Sequence, residues 1–117
     1  MNERQKLGKR GEDKACAYLI SGGYRIVARN YKTKVGETDI IAEKDGRICF
    51  IEVKTRTSLD YGLPGESVDR RRQARLRRCA QWFINERGLS GADVRFDVIE
   101  IIVRGGTPWL RHTEGAF

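Results

Sequence analysis

The hydrophobic and polar positions of the chain follow two different periods. From about Glu3 to Ser21, apolar and small residues recur at helical spacing and end at two glycines, which predicts a first helix. Ser67 is a candidate N-cap for a second helix that runs to about Arg87, with Gly88 as its stop signal. The rest of the chain is dominated by short runs typical of strands.

These strand-like runs give the order of elements. Residues 24–31 and 94–103 are rich in β-branched and aromatic side chains, and a short final strand is expected over residues 109–113 at a sheet edge. Residues 57–65 carry the Asp, Gly and Pro of an exposed loop, and residues 105–108 form a turn. The predicted order is α-β-β-β-α-β-β.

The clearest local signal is a hairpin. Two strand runs, residues 37–44 and 47–54, flank the turn pair Asp45-Gly46. Because side chains alternate along a strand, both faces of this hairpin are apolar in its middle, which predicts an α/β fold with strands covered on both sides. The turn fixes the opposing pairs on one face, which are Ile41 with Phe50, Asp39 with Glu52, and Glu37 with Lys54.

Length and composition favour one compact domain over residues 1–117. The chain is 39% hydrophobic, too apolar for a disordered chain, and no stretch approaches the roughly 20 apolar residues that span a bilayer. The first residues lack the apolar segment of a secretory signal, so we expect a cytoplasmic protein with no membrane partner. Three widely spaced cysteines argue against a disulfide framework and are expected to be buried.

Net charge raises the question of an anionic partner. Lys and Arg number 23 against 16 acidic residues, a formal charge of +7, which favours nucleic acid over a membrane surface. Six arginines lie in residues 70–78 with no acid between them. On a helix, Arg71, Arg75 and Arg78 share a face opposite the apolar stripe, while Arg72 leans toward the core. Such a face is either simply solvated or contacts phosphates, and the missing acids favour the second.

The hairpin also contains the candidate metal-binding and catalytic residues. Two carboxylates directly opposite each other, Asp39 and Glu52, repel unless a cation lies between them, and Mg²⁺ prefers such oxygen ligands. Lys54, two residues further on the same face, is placed either to help a water attack or to offset charge on a phosphoryl transition state. The alternative is a surface ion-pair cluster in which Glu37 pairs with Lys54.

These residues resemble a known nuclease motif. Asp39, the hairpin and Glu52-Val53-Lys54 are similar to the PD-(D/E)-x-K motif of restriction-endonuclease-like enzymes. The whole chain resembles the YraN family, uncharacterised bacterial proteins whose restriction-endonuclease-like fold is similar to that of archaeal Holliday junction resolvases. The matching stretches are Gly11-Glu12, Gly36 to Ala42, Phe50 to Arg56, Glu66-Ser67-Val68, Arg95 to Val98 and Ala116-Phe117.

The resemblance implies a mixed central sheet with helices on both faces, and a Mg²⁺ or Mn²⁺ site. Asp39, Glu52 and the carbonyl of Val53 would bind the metal, joined by Glu37, and Lys54 would be the catalytic lysine. Glu12 would be an outer metal or water ligand, although a helix Glu is often solvated or in a local ion pair. The nucleic-acid contacts would be Arg71, Arg72, Arg75, Arg78 and Arg56.

The sequence departs from the family pattern at two positions. The Pro of the motif is absent, and Arg72 stands where the family usually has Lys, which keeps the charge but not a compact ammonium.

The expected function is a metal-dependent endonuclease that hydrolyses phosphodiester bonds in structured or branched DNA, with a homodimer implied by the junction resolvases. The alternative is a nucleic-acid-binding protein that retains the fold without catalysis.

Overall fold

The computed structural model describes residues 2–56, 68–104 and 106–117. This part of the chain forms two helices and five strands in the order α-β-β-β-α-β-β, so the predicted fold class is confirmed. The elements are α1 (Glu3–Ser21), β1 (Arg25–Thr33), β2 (Gly36–Lys44), β3 (Arg47–Arg56), α2 (Arg70–Arg87), β4 (Asp93–Arg104) and β5 (Thr107–Thr113).

The helix ends follow local capping signals. The side chain of Asn2 accepts the backbone N–H of Gln5 at 2.8 Å and starts α1 where the sequence predicts. The start of α2 was predicted incorrectly, because Asp69 is the N-cap and accepts the N–H of Arg72 at 2.8 Å. Ser67 and the predicted loop over residues 57–65 lie outside the described residues. Gly88 ends α2 in the left-handed conformation, with φ 64°.

The five strands form one mixed sheet in the order β1-β2-β3-β4-β5. Strands β3 and β4 are parallel, and the segment between them contains α2, as a parallel connection requires. The other neighbours are antiparallel, and β5 lies at an edge as expected. β5 begins at Thr107 rather than Trp109, since Pro108 still pairs with Val103, so Thr107 and Pro108 belong to this strand and not to the predicted turn.

The β2–β3 hairpin has the predicted register. Its pairs run from Lys44 with Arg47 to Ile40 with Ile51. The turn residue Asp45 has φ 52°, a left-handed conformation that the two-residue hairpin turn requires. Beyond Ile40, β2 continues to pair with β1 but no longer with β3. The ladder therefore ends one step before the two predicted carboxylates.

The core lies on both faces of the sheet. Ile40 and Ile51 pack on one face with Leu19 of α1, while Ile41 and Phe50 pack on the other with Phe83 of α2. This arrangement confirms the helices on both faces. All three cysteines are free and buried, as predicted. In the described residues, no helix is long and apolar enough to span a membrane.

Two glycines let the helices approach the sheet closely. A Cβ at Gly36 in β2 would lie 2.5 Å from the backbone oxygen of Arg75 in α2. A Cβ at Gly11 in α1 would collide with the hydroxyl of Thr55 in β3. The contact of α2 at Gly36 is therefore adjacent to Glu37, and the contact of α1 at Thr55 is three residues from Glu52.

Candidate functional site

The carboxyl groups of Asp39 and Glu52 meet where β2 leaves β3. The side chains are hydrogen-bonded to each other, and Asp39 Oδ2 also accepts the backbone N–H of Val53 at 2.8 Å. Asp39 is part-buried, and Glu52 is buried with 4% exposure. The Asp39 side chain thus takes the place of the backbone ladder at this point, and the two predicted ligands are brought together.

The electrostatics of this carboxylate pair are strongly perturbed. Burial, the hydrogen bond to Glu52 and the negative charge of Glu52 raise the pKa of Asp39 to about 8. Burial also acts to raise the pKa of Glu52, but its hydrogen bonds with Asp39 and Arg72 outweigh this and lower it. At neutral pH the shared proton therefore resides on Asp39, and the pair carries one negative charge.

Arg72 reaches into the pair from the first turn of α2. Its Nε donates to Glu52 Oε2 at 2.6 Å, and its Nη1 lies 3.6 Å from Glu37 Oε1. These contacts raise the pKa of Arg72 against the opposing effect of its burial. Arg72, which the sequence assigned to nucleic-acid binding, is thus engaged with the site carboxylates.

The predicted pairing of Glu37 with Lys54 was wrong. Because β2 has left β3 at this point, Glu37 pairs in register with Lys32 of β1, and its carboxylate lies near Arg72. Lys54 is part-buried on β3, two residues beyond Glu52 and on the same face. The charge of Lys54 lowers the pKa of Glu52, which places the ammonium within electrostatic reach of the pair.

Glu12 lies close to the pair without joining it. Its Oε1 accepts hydrogen bonds from Arg29 at 3.3 Å and from Asn30 Nδ2 at 2.9 Å, both on β1. Its charge contributes to the raised pKa of Asp39. The separation has a simple reason: α1 packs on the sheet face opposite the one toward which Glu52 points.

The six arginines within residues 70–78 of α2 divide into two groups. Arg77 stacks over the ring of Phe96 with 5.0 Å to the ring centroid, and Arg72 binds Glu52. The other four are exposed, and in the described part of the chain no acidic side chain lies within ion-pair distance of them. We call these four the α2 arginine surface, which consists of Arg70, Arg71, Arg75 and Arg78.

The donor set at the site fits a hard divalent cation. In residues 2–56, 68–104 and 106–117, no group of three or more His, Cys, Asp and Glu side chains could hold a metal. The two carboxylates of Asp39 and Glu52 nevertheless suffice for Mg²⁺ or Mn²⁺, since Mg²⁺ is commonly bound by one or two carboxylates and keeps several waters. A pair that has to share a proton is chemically suited to share a cation. Arg72 is the competing positive charge.

Comparison with known proteins identifies the family. A family model described as "Uncharacterised protein family UPF0102" matches residues 11–101. The chain belongs to the UPF0102 family. This confirms the resemblance to YraN proteins found in the sequence.

The curated relatives match over most of their length. A UPF0102 protein of Moorella thermoacetica is 48% identical over 98 residues, which cover 84% of this chain and 82% of that protein. A UPF0102 protein of Alkaliphilus metalliredigens is 48% identical over 113 residues, covering 97% and 98%. A UPF0102 protein of Syntrophotalea carbinolica is 43% identical over 115 residues, covering 98% and 94%. The shared family thus extends over nearly the whole chain.

Sequence reasoning missed a buried polar network in this UPF0102 protein. Asp97 is fully buried on β4, where Arg95 Nε donates to its Oδ1 at 2.8 Å and His112 Nε2 lies 2.8 Å from its Oδ2. His112 Nδ1 lies 2.8 Å from the hydroxyl of Tyr18. His112 thus connects β5 to β4 and α1. An acid within the apolar run of residues 94–103 was the available signal.

The same run contains a second buried acid. Glu100 has 0% exposure and lies between Arg56 and Arg111. Arg56 is the last of the residues that the sequence assigned to nucleic acid, and the structure places it on the carboxylate face of β3. The pattern of β4 alone could not show which cations would surround Glu100.

Proposed function

We propose that this UPF0102 protein is a metal-dependent endonuclease that binds structured or branched DNA and hydrolyses a phosphodiester bond. The observation that carries the proposal is the hydrogen-bonded pair of Asp39 and Glu52, with Lys54 two residues further along β3. A buried and a part-buried acid side by side are costly as a structural network, which would be more stable with alternating charges. A site built to receive a cation explains the arrangement.

Each residue of the site has a chemical role in this proposal. Asp39 and Glu52, with the carbonyl of Val53, would hold Mg²⁺ or Mn²⁺, and Glu37 and Glu12 would act from outside this set. The bound ion would supply polarisation of a phosphoryl oxygen and a lowered pKa of bound water. The ammonium of Lys54 would orient the attacking water or offset negative charge on the phosphoryl group.

The α2 arginine surface supports binding to a nucleic-acid backbone. Guanidinium groups match phosphate geometry, and exposed unpaired cations on one helix repel each other unless an anion binds them. Such contacts position a duplex without reading its sequence. DNA with branched structure, and action as a homodimer, are what the similarity to junction resolvases implies.

A cleavage assay tests the enzyme proposal. Purified protein is incubated with duplex, flap and four-way-junction DNA in Mg²⁺ or Mn²⁺. We expect cleavage by the wild type and by Lys44→Ala, a lysine at the opposite end of the same hairpin, and loss of cleavage in Lys54→Ala and Glu52→Ala. If no substrate is cut, or if Lys54→Ala cuts like Lys44→Ala, the protein is not an endonuclease of this type.

A binding assay tests the nucleic-acid surface separately. The double variant Arg75→Gln and Arg78→Gln should bind DNA more weakly, with a salt-dependence slope smaller by about two, one for each lost phosphate contact. The control double variant Arg25→Gln and Arg47→Gln removes the same charge from exposed arginines that pair with acids elsewhere. Equal losses of DNA affinity in the two double variants would show that binding depends only on the net charge of the protein.

One observation favours the non-catalytic alternative. Arg72 already neutralises Glu52, and Glu12 is held by Arg29 and Asn30, so a divalent ion would have two carboxylates and a competing arginine. A protein that binds DNA with the expected salt dependence but cuts none of the substrates in either metal would be a binding protein with a retained nuclease fold.

A further inference from the structure

Trp82 is an exposed aromatic residue on α2. It is 39% exposed, whereas the next residue, Phe83, is 1% exposed and contacts the rings of Tyr31 and Phe50 edge to face. Among the described residues, no aromatic ring or cationic group stacks on the indole of Trp82. Phe83 thus packs in the core, while Trp82 offers an aromatic surface to the outside of the helix.

Trp82 shares a helix face with three members of the α2 arginine surface. Residues 71, 75, 78 and 82 are separated by three or four positions, so they lie on one side of an α-helix over about 16 Å. Arg71, Arg75 and Arg78 are exposed, and the only acidic residue of α2 is Glu86, one turn beyond Trp82. We call Arg71, Arg75, Arg78 and Trp82 the Arg–Trp face.

The Arg–Trp face begins beside the candidate site. Arg72, in the same turn as Arg71, donates to Glu52. The backbone oxygen of Arg75 lies so close to β2 that a Cβ at Gly36 would be 2.5 Å from it. Trp82 lies seven residues, or about 10 Å, further along the helix than Arg75. The face therefore leads from the carboxylate pair toward the exposed indole.

The combination of guanidinium groups with an indole narrows the class of ligand. Arginines by themselves fit any polyanion, including an acidic protein segment. A lone exposed apolar residue is ordinary on a protein surface, but an aromatic ring in line with cations is the arrangement that binds single-stranded nucleic acid. Every base has a flat face on which an indole stacks, and in a duplex the neighbouring base pairs cover these faces. The indole therefore favours unpaired nucleotides over a duplex.

We infer that the Arg–Trp face binds an unpaired segment of nucleic acid, with the arginines on its phosphates and Trp82 stacked on a base. The inference rests on the proposed function, because it names the part of a structured DNA, such as the single strand of a flap, that α2 takes. Stacking involves no counterion release, whereas each phosphate contact does. The contribution of Trp82 is therefore independent of salt, which separates it from that of the arginines.

Tryptophan fluorescence tests the stacking directly. The chain has two tryptophans, so Trp109→Phe leaves Trp82 as the only one. Titration of this variant in EDTA with oligothymidylate should quench its emission to saturation, whereas a long blunt duplex should bind through the arginines with little quenching. The reciprocal variant Trp82→Phe, which retains Trp109, should show no quenching. Equal quenching by the duplex and the single strand, or quenching only in Trp82→Phe, would overturn the inference.

Affinity measurements separate stacking from charge. Trp82→Ala should weaken oligothymidylate binding about tenfold, with an unchanged salt slope and an unchanged affinity for the blunt duplex. Trp82→Phe should retain most of the affinity, because a phenyl ring still stacks. The matched control is Ile20→Ala, which removes an exposed apolar side chain from α1 and should change neither affinity. A loss that is equal on single strand and duplex contradicts stacking. If Trp82→Ala does not fold, the fluorescence of Trp109→Phe decides.

Other occupants of the Arg–Trp face give different results. Poly-glutamate carries negative charges without bases and should leave the emission of Trp82 unchanged. Quenching by poly-glutamate equal to that by oligothymidylate would assign the face to an acidic chain. A change of emission with protein concentration alone would assign it to a second copy of the protein. Either result would overturn the inference.

Failure of this inference is distinct from failure of the proposed function. If the wild type binds neither duplex nor single strand, the nucleic-acid function itself is wrong. If the wild type binds both and Trp82→Ala binds oligothymidylate like the wild type, only the stacking role is rejected, and Trp82 is a surface residue of a helix that contacts phosphates alone.

Discussion

Arg72 Nε donates a hydrogen bond to Glu52 Oε2 at 2.6 Å and joins helix α2 to the carboxylate pair on the sheet. The guanidinium supplies the positive charge that lets Glu52 remain ionised in a buried position, while Asp39 keeps the shared proton. The helix that presents the α2 arginine surface therefore also sets the charge of the site. This link gives the first prediction.

Replacing Arg72 should destabilise the protein in a manner that a divalent cation corrects. Arg72→Gln leaves the buried Glu52 without its partner, and we expect a loss of roughly 2–4 kcal/mol in the free energy of unfolding in EDTA. Mg²⁺ should restore more stability to this variant than to the wild type, because the competing cation is gone. Chemical denaturation with and without Mg²⁺ measures both effects.

The matched control for Arg72 is Arg25, which pairs with Glu43 at 2.9 Å on the surface. Arg25→Gln should cost at most about 0.5 kcal/mol, since the pair is solvent-screened. A Mg²⁺ effect that is the same in Arg72→Gln and Arg25→Gln would contradict a cation site at Glu52.

Glu12 should contribute little to cation binding. Its carboxylate is committed to Arg29 and Asn30, so Glu12→Gln should change the affinity for Mn²⁺ less than Asp39→Asn does. Asp39→Asn removes one of the two carboxylates and should abolish measurable binding. Calorimetric titration with Mn²⁺ compares the two variants, and an equal loss in both would place Glu12 among the direct ligands.

Asp97 should make the stability depend on acid pH. Its burial acts to raise the pKa, but the contacts from His112, Arg95 and the N–H of Gly115 outweigh this and hold the pKa of Asp97 below its ordinary 3.8. A lowered carboxyl pKa stabilises the folded state above the unfolded value, and this contribution is lost as the pH falls through the folded value.

The comparison with Asp97→Asn isolates this contribution. At pH 7 the variant should be less stable by about 3 kcal/mol, because Arg95 loses its buried partner. As the pH falls below about 4, the difference between wild type and variant should shrink. Urea denaturation from pH 7 to pH 3 gives both curves, and a difference that stays constant with pH would mean that Asp97 has an unperturbed pKa.

Alanine substitution is expected to have opposite effects at Gly36 and Gly8, because Gly36, unlike Gly8, lies in a close contact between β2 and α2. Gly36→Ala puts a Cβ 2.5 Å from the backbone oxygen of Arg75, and we expect a loss of about 1–3 kcal/mol. Gly8 lies inside α1 with open space around it, so Gly8→Ala should stabilise the protein by about 0.5–1 kcal/mol. Thermal melts of both variants check the signs. Stabilisation by Gly36→Ala would show that the helix can move away at no cost.

Short-range signals explain why so much of the fold was predictable. The Asp45-Gly46 turn and the alternation around it fix the register from Lys44 to Ile40, because a slip by one residue would invert both faces. The same signals failed where the register stops. β2 follows β1 beyond Ile40, so Glu37 was assigned the wrong partner, and Asp69 rather than Ser67 caps α2.

The sequence by itself determined the order of elements, the hairpin and the meeting of Asp39 with Glu52, because each depends on residues close together along the chain. Only the tertiary structure decided that Arg72 enters the site, that Glu12 binds β1 and that Glu100 lies between Arg56 and Arg111. These partners come from different elements, and which charges meet depends on how helices and strands pack. Burial then raises the pKa of Asp39 to about 8, whereas an aspartate side chain in water is ionised at neutral pH.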